Sequence, residues 1–338
     1  MNISILGAGS WAIALAVILH KRGHKIRMWE FSTEAAEFLQ QRRELPSKLP
    51  GITIPEDIQI TNSISDAFES AELVLCVVPS QTMRSTLKTA VKQVKKSVVD
   101  NVKGWVMAAK GIECGTLKLM TDILLDEIPD LSESRIAVLS GPSHAEEVSK
   151  EMPTTIVAAS KNKQLAQLIQ ENFSTETFRV YTNTDMKGVE LAASVKNVIA
   201  LAAGITDGMG FGDNTKGALL TRGIAEMMRL GRKMGAQDST FSGLAGIGDL
   251  ITTCISRHSR NRRMGELIAQ GYSLDEALEH MTMVAEGVET ARSVYELSGK
   301  LDIEMPITTQ VYKMLFEGKP AREAARDLMM RETKPEFW

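Results

Sequence analysis

Residues 188–223 read GVELAASVKNVIALAAGITDGMGFGDNTKGALLTRG, and within 189–205 only Glu190 and Lys196 carry charge. The spacing predicts one helix over 189–205, with Ala192 and Ala193 a turn before Lys196 and Ile199 and Ala200 a turn after it. The ammonium of Lys196 therefore leaves an apolar surface. Two readings are open: the stem snorkels past the alanines to water, or burial lowers its pKa from about 10.4 toward neutrality. The second makes it a proton donor or acceptor at working pH. Asn197, beside it, offers a donor and acceptors for a neighbour or a substrate hydroxyl. Glycines at 204, 208, 210, 212 and 217 then predict a loop lying close to something, before a helix that Asp213, Asn214 or Thr215 could cap.

The elements that must position these groups start at the N-terminus. The strand NISIL, residues 2–6, runs into Gly7-Ala8-Gly9-Ser10-Trp11-Ala12 and an apolar helix ending at Gly23. This is G-x-G-x-x-A between strand and helix: Gly7 for a tight turn, Gly9 for close approach of a pyrophosphate, Ala12 for packing of helix on strand. The helix N-terminus offers unpaired N–H groups to phosphates. The alternative is an ordinary strand-to-helix turn. A second strand, KIRMW at 25–29, ends in Glu30, where a carboxylate can accept from the ribose 2′-hydroxyl of NAD and would repel the 2′-phosphate of NADP. Residues 46–61, with three prolines, read as a loop, either a flap or a surface crossing.

Buried strands follow at ELVLCVVP, ending at Pro79-Ser80, at WVMAAKG, ending at Lys110-Gly111, and at RIAVLSG, ending at Ser140-Gly141-Pro142 before a short helical start. In an open parallel sheet the carboxyl ends of the strands share one edge. Gly9, Glu30, Pro79, Lys110 and Gly141 are therefore expected to line one crevice. Lys110 points its charge into it. Strands at 154–160 and 178–185, with a helix near 163–173 between them, complete an α/β half; from 186 onward the pattern is helical. The expected architecture is a Rossmann-type dinucleotide-binding domain, 1–185, followed by an all-helical substrate domain, 186–338. In the second, Gly246, Gly248 and Asp249 read as a tight turn carrying a carboxylate. Ser259, Arg260 and Asn261 stand at a helix start, where N–H groups, a hydroxyl and a guanidinium could converge on a phosphate. The carboxylates of 284–289 have no role readable from spacing.

Composition bounds the alternatives. A net charge of -3 argues against a nucleic-acid partner, so an anionic ligand needs local positive groups. Cys76, Cys114 and Cys254 lie far apart, and the five histidines have no ligand spacing, so no metal is expected. The apolar window at 191–206 is short for a membrane span and contains Lys196. The chain opens directly on its first strand, without the pattern of a secretion signal, and a cytoplasmic location is expected.

GAGSWAIALA, VPS, AAKGIE, SGPSHAEEV, SVKNVIALAAGITDGMGFGDNTKGALLTRG, LAGIGDLITTC, SRNRRMG and VAEGVETA resemble, in order and over nearly the whole chain, the motifs of the NAD(P)-dependent glycerol-3-phosphate dehydrogenases. The resemblance implies interconversion of sn-glycerol 3-phosphate and dihydroxyacetone phosphate, which supplies the backbone of phospholipids in bacteria. It implies Lys196 as general acid and base at the C2 oxygen, with Lys110, Asn197 and Asp249 around it. By the same resemblance Gly141, Ser143, Ser259, Arg260 and Asn261 hold the substrate beside Lys110, Lys196 and Asp249. Ser10, Trp11, Lys110, Ala145, Arg260, Val284 and Glu286 are similar to cofactor contacts of the family, and a homodimer is implied.

Three departures stand out. Ala12-Ile13 replaces a common Gly-Thr, and His144 stands where Phe is common. Glu30-Phe31-Ser32 replaces a Gly-Arg-Asp suited to NADP, which leans toward NAD. Two other functions fit parts of the pattern: a 3-hydroxyacid dehydrogenase of similar architecture, against which the Ser259-Arg260-Asn261 cluster counts, and a non-catalytic dinucleotide sensor, which would need neither Lys110 nor Lys196.

Overall fold

The computed structural model describes residues 1–336. Eight strands, β1 (Asn2–Leu6), β2 (Lys25–Trp29), β3 (Gln59–Thr61), β4 (Leu73–Cys76), β5 (Gly104–Met107), β6 (Ile136–Ser140), β7 (Thr154–Ala159) and β8 (Phe178–Asn183), form one sheet in the order β3-β2-β1-β4-β5-β6-β7-β8. The central strands are continuous apolar runs because both faces are covered. The helices Ser10–Lys21 and Lys163–Phe173 close one face; Met83–Gln93 and Met120–Glu127 close the other.

Two expectations need correction. The loop expected over 46–61 contains β3, which pairs with β2 through Gln59, Ile60 and Thr61. Three residues are too few to show alternation. The sheet is also not wholly parallel: β7 runs antiparallel to β6. A parallel return needs a crossover of a dozen or more residues, usually a helix. Here the connection holds only the four-residue helix Ala145–Val148. The crevice edge is therefore built from β1, β2, β4, β5 and β6.

After β8 the chain is helical to residue 329. Asp185 caps the helix Met186–Gly208, accepting from Gly188 N at 2.9 Å, and also receives Gln237 N at 2.8 Å and Thr240 Oγ1 at 2.7 Å. One carboxylate thus ties the helix start to the helices beside it. Asp213–Lys233, Asp249–Ile255, Arg260–Ala269, Gly287–Leu301 and Pro306–Phe316 pack around this central helix. At 23 residues it is longer than expected, and long and apolar enough to cross a membrane, but its apolar stretch lies buried inside the protein as that of a core helix. Gly204 and Gly208 belong to it rather than to a loop. A Cβ on Gly204 would lie 1.9 Å from Arg262 O, and one on Gly265 would lie 2.1 Å from Leu201 O. These glycines let two helix backbones approach. The following helix is capped by Gly212, with no side-chain cap from Asp213, Asn214 or Thr215. A capping box of Ser273 and Glu276 opens the helix Leu274–Glu279, and Pro306 stands in the first turn of Pro306–Phe316.

Glu190, the other charge on the central helix, accepts from Thr121 N at 3.0 Å and Thr121 Oγ1 at 2.6 Å, and burial pushes its pKa up to about 7. It fixes the helical half to the start of Met120–Glu127.

Candidate active site

The central helix carries Lys196 to the carboxyl edge of the sheet, 4% exposed, so its stem does not snorkel to water. Its Nζ donates to Asp249 Oδ1 and, at 2.7 Å, to Thr253 Oγ1. Lys110, just beyond β5, donates to the other oxygen of the same carboxylate, Asp249 Oδ2, at 2.9 Å and to Gly141 O at 3.4 Å. Asp249 is 2% exposed. It does not sit in a tight turn: a π-helical turn, Leu244–Gly248, leads into the helix Asp249–Ile255, and the acid occupies its first turn. Gly246 is required there, since a Cβ would lie 2.1 Å from Phe241 O. Thr253, unnoticed in the sequence, is one helical turn beyond Asp249 on the same face. That spacing was the available signal.

Burial of Lys196 and the nearby Lys110 ammonium lower its pKa to about 7, against the opposing pull of Asp249. Burial alone would raise Asp249, but the two ammonium groups outweigh it and hold the carboxyl below its usual range. The trio is a carboxylate shared by two lysines, one of them poised to exchange a proton near neutrality.

A cleft of about 520 Å³ runs past this trio. Asn197 lines it beside Lys196. At one end Ser259 caps the helix Arg260–Ala269, accepting from Arg262 N at 3.2 Å; Arg260 Nη1 donates to Val284 O at 3.1 Å; Asn261 Oδ1 accepts from Gly287 N at 2.8 Å. All three line the cleft. Of the arginines at 257, 260, 262 and 263, Arg260 alone lines it; Arg262 is bound to Asp207 at 2.6 Å and Arg263 to Glu266 at 3.3 Å.

At the glycine turn Gly7 takes φ +113°, and a Cβ there would lie 3.0 Å from Val77 O, whereas the Cβ direction of Gly9 is open. Ala12, in the first turn of the helix, is wholly buried. The N–H groups of the helix's first turn have no intrahelical acceptor, and the buried Trp11 Nε1 has no hydrogen-bond partner among the described residues. An open glycine face with free donors fits the pyrophosphate of a dinucleotide. Ser10 Oγ donates to Lys48 O at 2.9 Å, and Glu30, at the end of β2, accepts from Ser32 N at 3.1 Å. Glu30, Ser143, Ala145, Val284 and Glu286 all line the cleft.

Gly141 contributes its carbonyl, which accepts from Lys110 and, at 2.8 Å, from Ser143 Oγ. Glu286 has a partner spacing did not show: it receives Ser80 N at 3.2 Å and Ser80 Oγ, closing the end of β4 onto the helical half. His144 is held neutral, its pKa lowered to about 4 by burial and by the Lys196 charge. Among the described residues no three His, Cys, Asp or Glu side chains converge as a metal site.

A glycine turn at a helix N-terminus, facing a buried lysine across one cleft, defines a dinucleotide-dependent oxidoreductase. The chain belongs to the NAD-dependent glycerol-3-phosphate dehydrogenase family, matching its N-terminal region over residues 2–166 and its C-terminal region over 185–326. It is 51% identical to a glycerol-3-phosphate dehydrogenase [NAD(P)+] of Chlorobium limicola, with 100% of each chain covered, and 50% identical to that of Chlorobium luteolum, with 99% of each covered. The crystal structure of glycerol-3-phosphate dehydrogenase from Coxiella burnetii superposes with a TM-score of 0.92 at 35% identity, covering 98% of this chain and 99% of that one. D-mandelate dehydrogenase, at 10% identity and a TM-score of 0.63, shares the fold alone.

Proposed function

We propose that Lys196 is the general acid and base of the NAD(P)-dependent glycerol-3-phosphate dehydrogenase reaction, which interconverts dihydroxyacetone phosphate and sn-glycerol 3-phosphate. The observation that carries this is the buried Lys196 sharing Asp249 with Lys110, with a pKa of about 7. The nicotinamide cofactor, when bound, supplies or accepts the hydride at C2. In the reductive direction protonated Lys196 delivers its proton to the C2 oxygen, and in the oxidative direction neutral Lys196 removes it. Lys110 polarises the same oxygen, Asp249 orients both lysines, and Asn197 fixes a substrate hydroxyl. Arg260, Ser259 and Asn261 hold the phosphate at the helix N-terminus, and Gly141 and Ser143 complete the substrate contacts.

Gly7, Gly9, Ser10, Trp11, Ala145, Val284 and Glu286 hold the dinucleotide, and Glu30 takes the ribose hydroxyl, favouring NAD over NADP. The reading further includes a division at residue 185 into dinucleotide and substrate domains, a cytoplasmic homodimer without nucleic-acid partners, and supply of glycerol 3-phosphate for phospholipids.

The test compares NADH oxidation with dihydroxyacetone phosphate, with unphosphorylated dihydroxyacetone and with 3-keto acids. Turnover is expected with the phosphorylated ketone, with kcat/KM lower by about 100-fold or more without the phosphate, since charge-assisted contacts are lost. Preference for a keto acid would overturn the substrate assignment.

A further inference from the structure

The stretch GDNTK, residues 212–216, does not line the cleft. Its lysine is nevertheless tied to the frame of the site. Lys216 Nζ lies 2.5 Å from Asp207 Oδ1, and Arg262 Nε donates to Asp207 Oδ2 at 2.6 Å. Asp207 stands in the last turn of the helix Met186–Gly208, Lys216 in the first turn of Asp213–Lys233 and Arg262 in the first turn of Arg260–Ala269. One partly buried carboxylate therefore joins three helices.

Arg262 is held through its backbone as well. Its N–H donates to Ser259 Oγ at 3.2 Å, a Cβ on Gly204 would lie 1.9 Å from its carbonyl, and its Nη2 lies 3.0 Å from Glu266 Oε1. Ser259, Arg260 and Asn261 precede it directly. Whatever holds Arg262 therefore holds the phosphate contacts. Asp207 is also three helical turns beyond Lys196, about 16 Å along the same helix and on nearly the same face. The central helix thus carries the proton-transferring group at one position and the tether of the phosphate contacts at another. Such spacing matters, because a misplacement of about 1 Å can cost about 100-fold in rate.

We propose that Asp207, through Arg262, is a positioning residue that sets the distance from the phosphate contacts to Lys196, and so selects a ketone with a single methylene between carbonyl and phosphate oxygen. The inference rests on the phosphate reading above and adds selection by chain length. A longer ketone phosphate, with its phosphate seated, brings its carbonyl out of line with Lys196. Lys216 braces the same carboxylate from the next helix, which gives the GDNTK stretch its task. Without the tether the start of Arg260–Ala269 shifts against the central helix, and the two ketone phosphates react more evenly.

The experiment measures kcat/KM in NADH oxidation by the full-length protein. The substrates are dihydroxyacetone phosphate and its homologue with one further methylene between carbonyl and phosphate; the proteins are wild type, Asp207→Asn and Lys216→Gln. Asparagine keeps the size of the side chain and removes its charge. Asp207→Asn is expected to lower kcat/KM about tenfold for dihydroxyacetone phosphate, as a charge-assisted contact is lost, and about twofold or less for the homologue, so that selectivity narrows about fivefold. Lys216→Gln leaves the Arg262 bond and narrows selectivity by about twofold. Equal losses for both substrates in Asp207→Asn, the mark of a purely structural role, would overturn the proposal, and so would unchanged rates. Should Asp207→Asn fail to fold, a folded Lys216→Gln with wild-type selectivity would overturn it too. A wild type that reduces unphosphorylated dihydroxyacetone as readily as the phosphate would instead overturn the phosphate reading itself.

Discussion

Replacing Lys110 by glutamine raises the pKa of Lys196. In the native site burial and the Lys110 charge together hold Lys196 near 7 against the pull of Asp249. Because the two ammonium groups bond opposite oxygens of one carboxylate, they lie within about 6 Å of each other. At an effective dielectric of about 20 their repulsion is roughly 3 kcal/mol, equivalent to about two pKa units. The Lys110 side chain is 19% exposed, so water screens part of this, and a rise of about one unit is expected. Glutamine keeps a donor for Asp249 while removing the charge.

The sign follows from the proton each direction requires. Oxidation of glycerol 3-phosphate needs neutral Lys196, so its kcat/KM rises with pH through about 7 in the wild type. In Lys110→Gln that limb moves to about pH 8. Reduction of dihydroxyacetone phosphate needs the ammonium, so its rate falls above about 7 in the wild type and holds to about 8 in the variant. The assay is kcat/KM in both directions from about pH 5.5 to 9.5 at saturating cofactor. On the proposed role of Lys110 at the substrate oxygen the absolute rate also falls; the limb position is the diagnostic quantity. A limb that stays put or moves to lower pH would refute the electrostatic coupling.

Two further perturbations address the cofactor end and the helix packing. Glu30→Gln removes the carboxylate proposed to take the ribose hydroxyl and should raise the ratio of NADPH to NADH affinity roughly fivefold, read by dinucleotide titration. Gly265→Ala forces apart the helices Met186–Gly208 and Arg260–Ala269, because its Cβ would meet Leu201 O. It should cost on the order of 1–3 kcal/mol in thermal stability and raise KM for dihydroxyacetone phosphate by displacing Ser259, Arg260 and Asn261.

Much of this site was readable before the fold. Lys196 was conspicuous because charge is rare on a helix apolar all round, and Lys110 because it ends a buried strand. The glycine turn and Glu30 followed from strand-to-helix context. Asp249 was found, but its setting was misread: glycines at 246 and 248 suggest a turn, whereas they permit a π-helical turn packed against Phe241. Gly204 and Gly208 misled in the same way, since close approach of two helices and a loop demand the same residue. Ser80 escaped notice because its partner Glu286 is 206 positions away, and Thr253 because, despite its spacing from Asp249, the lysine it binds is 57 positions away. The antiparallel β7 was hidden because a buried strand reads alike in either direction.

The most direct test of the account is Lys196→Met, measured for NADH oxidation with dihydroxyacetone phosphate and, separately, for NADH binding. Methionine preserves length and burial but holds no proton. Turnover is expected to fall by about 100- to 10,000-fold with the dissociation constant for NADH unchanged. Turnover within a few fold of wild type would contradict the assignment of Lys196 as the acid and base.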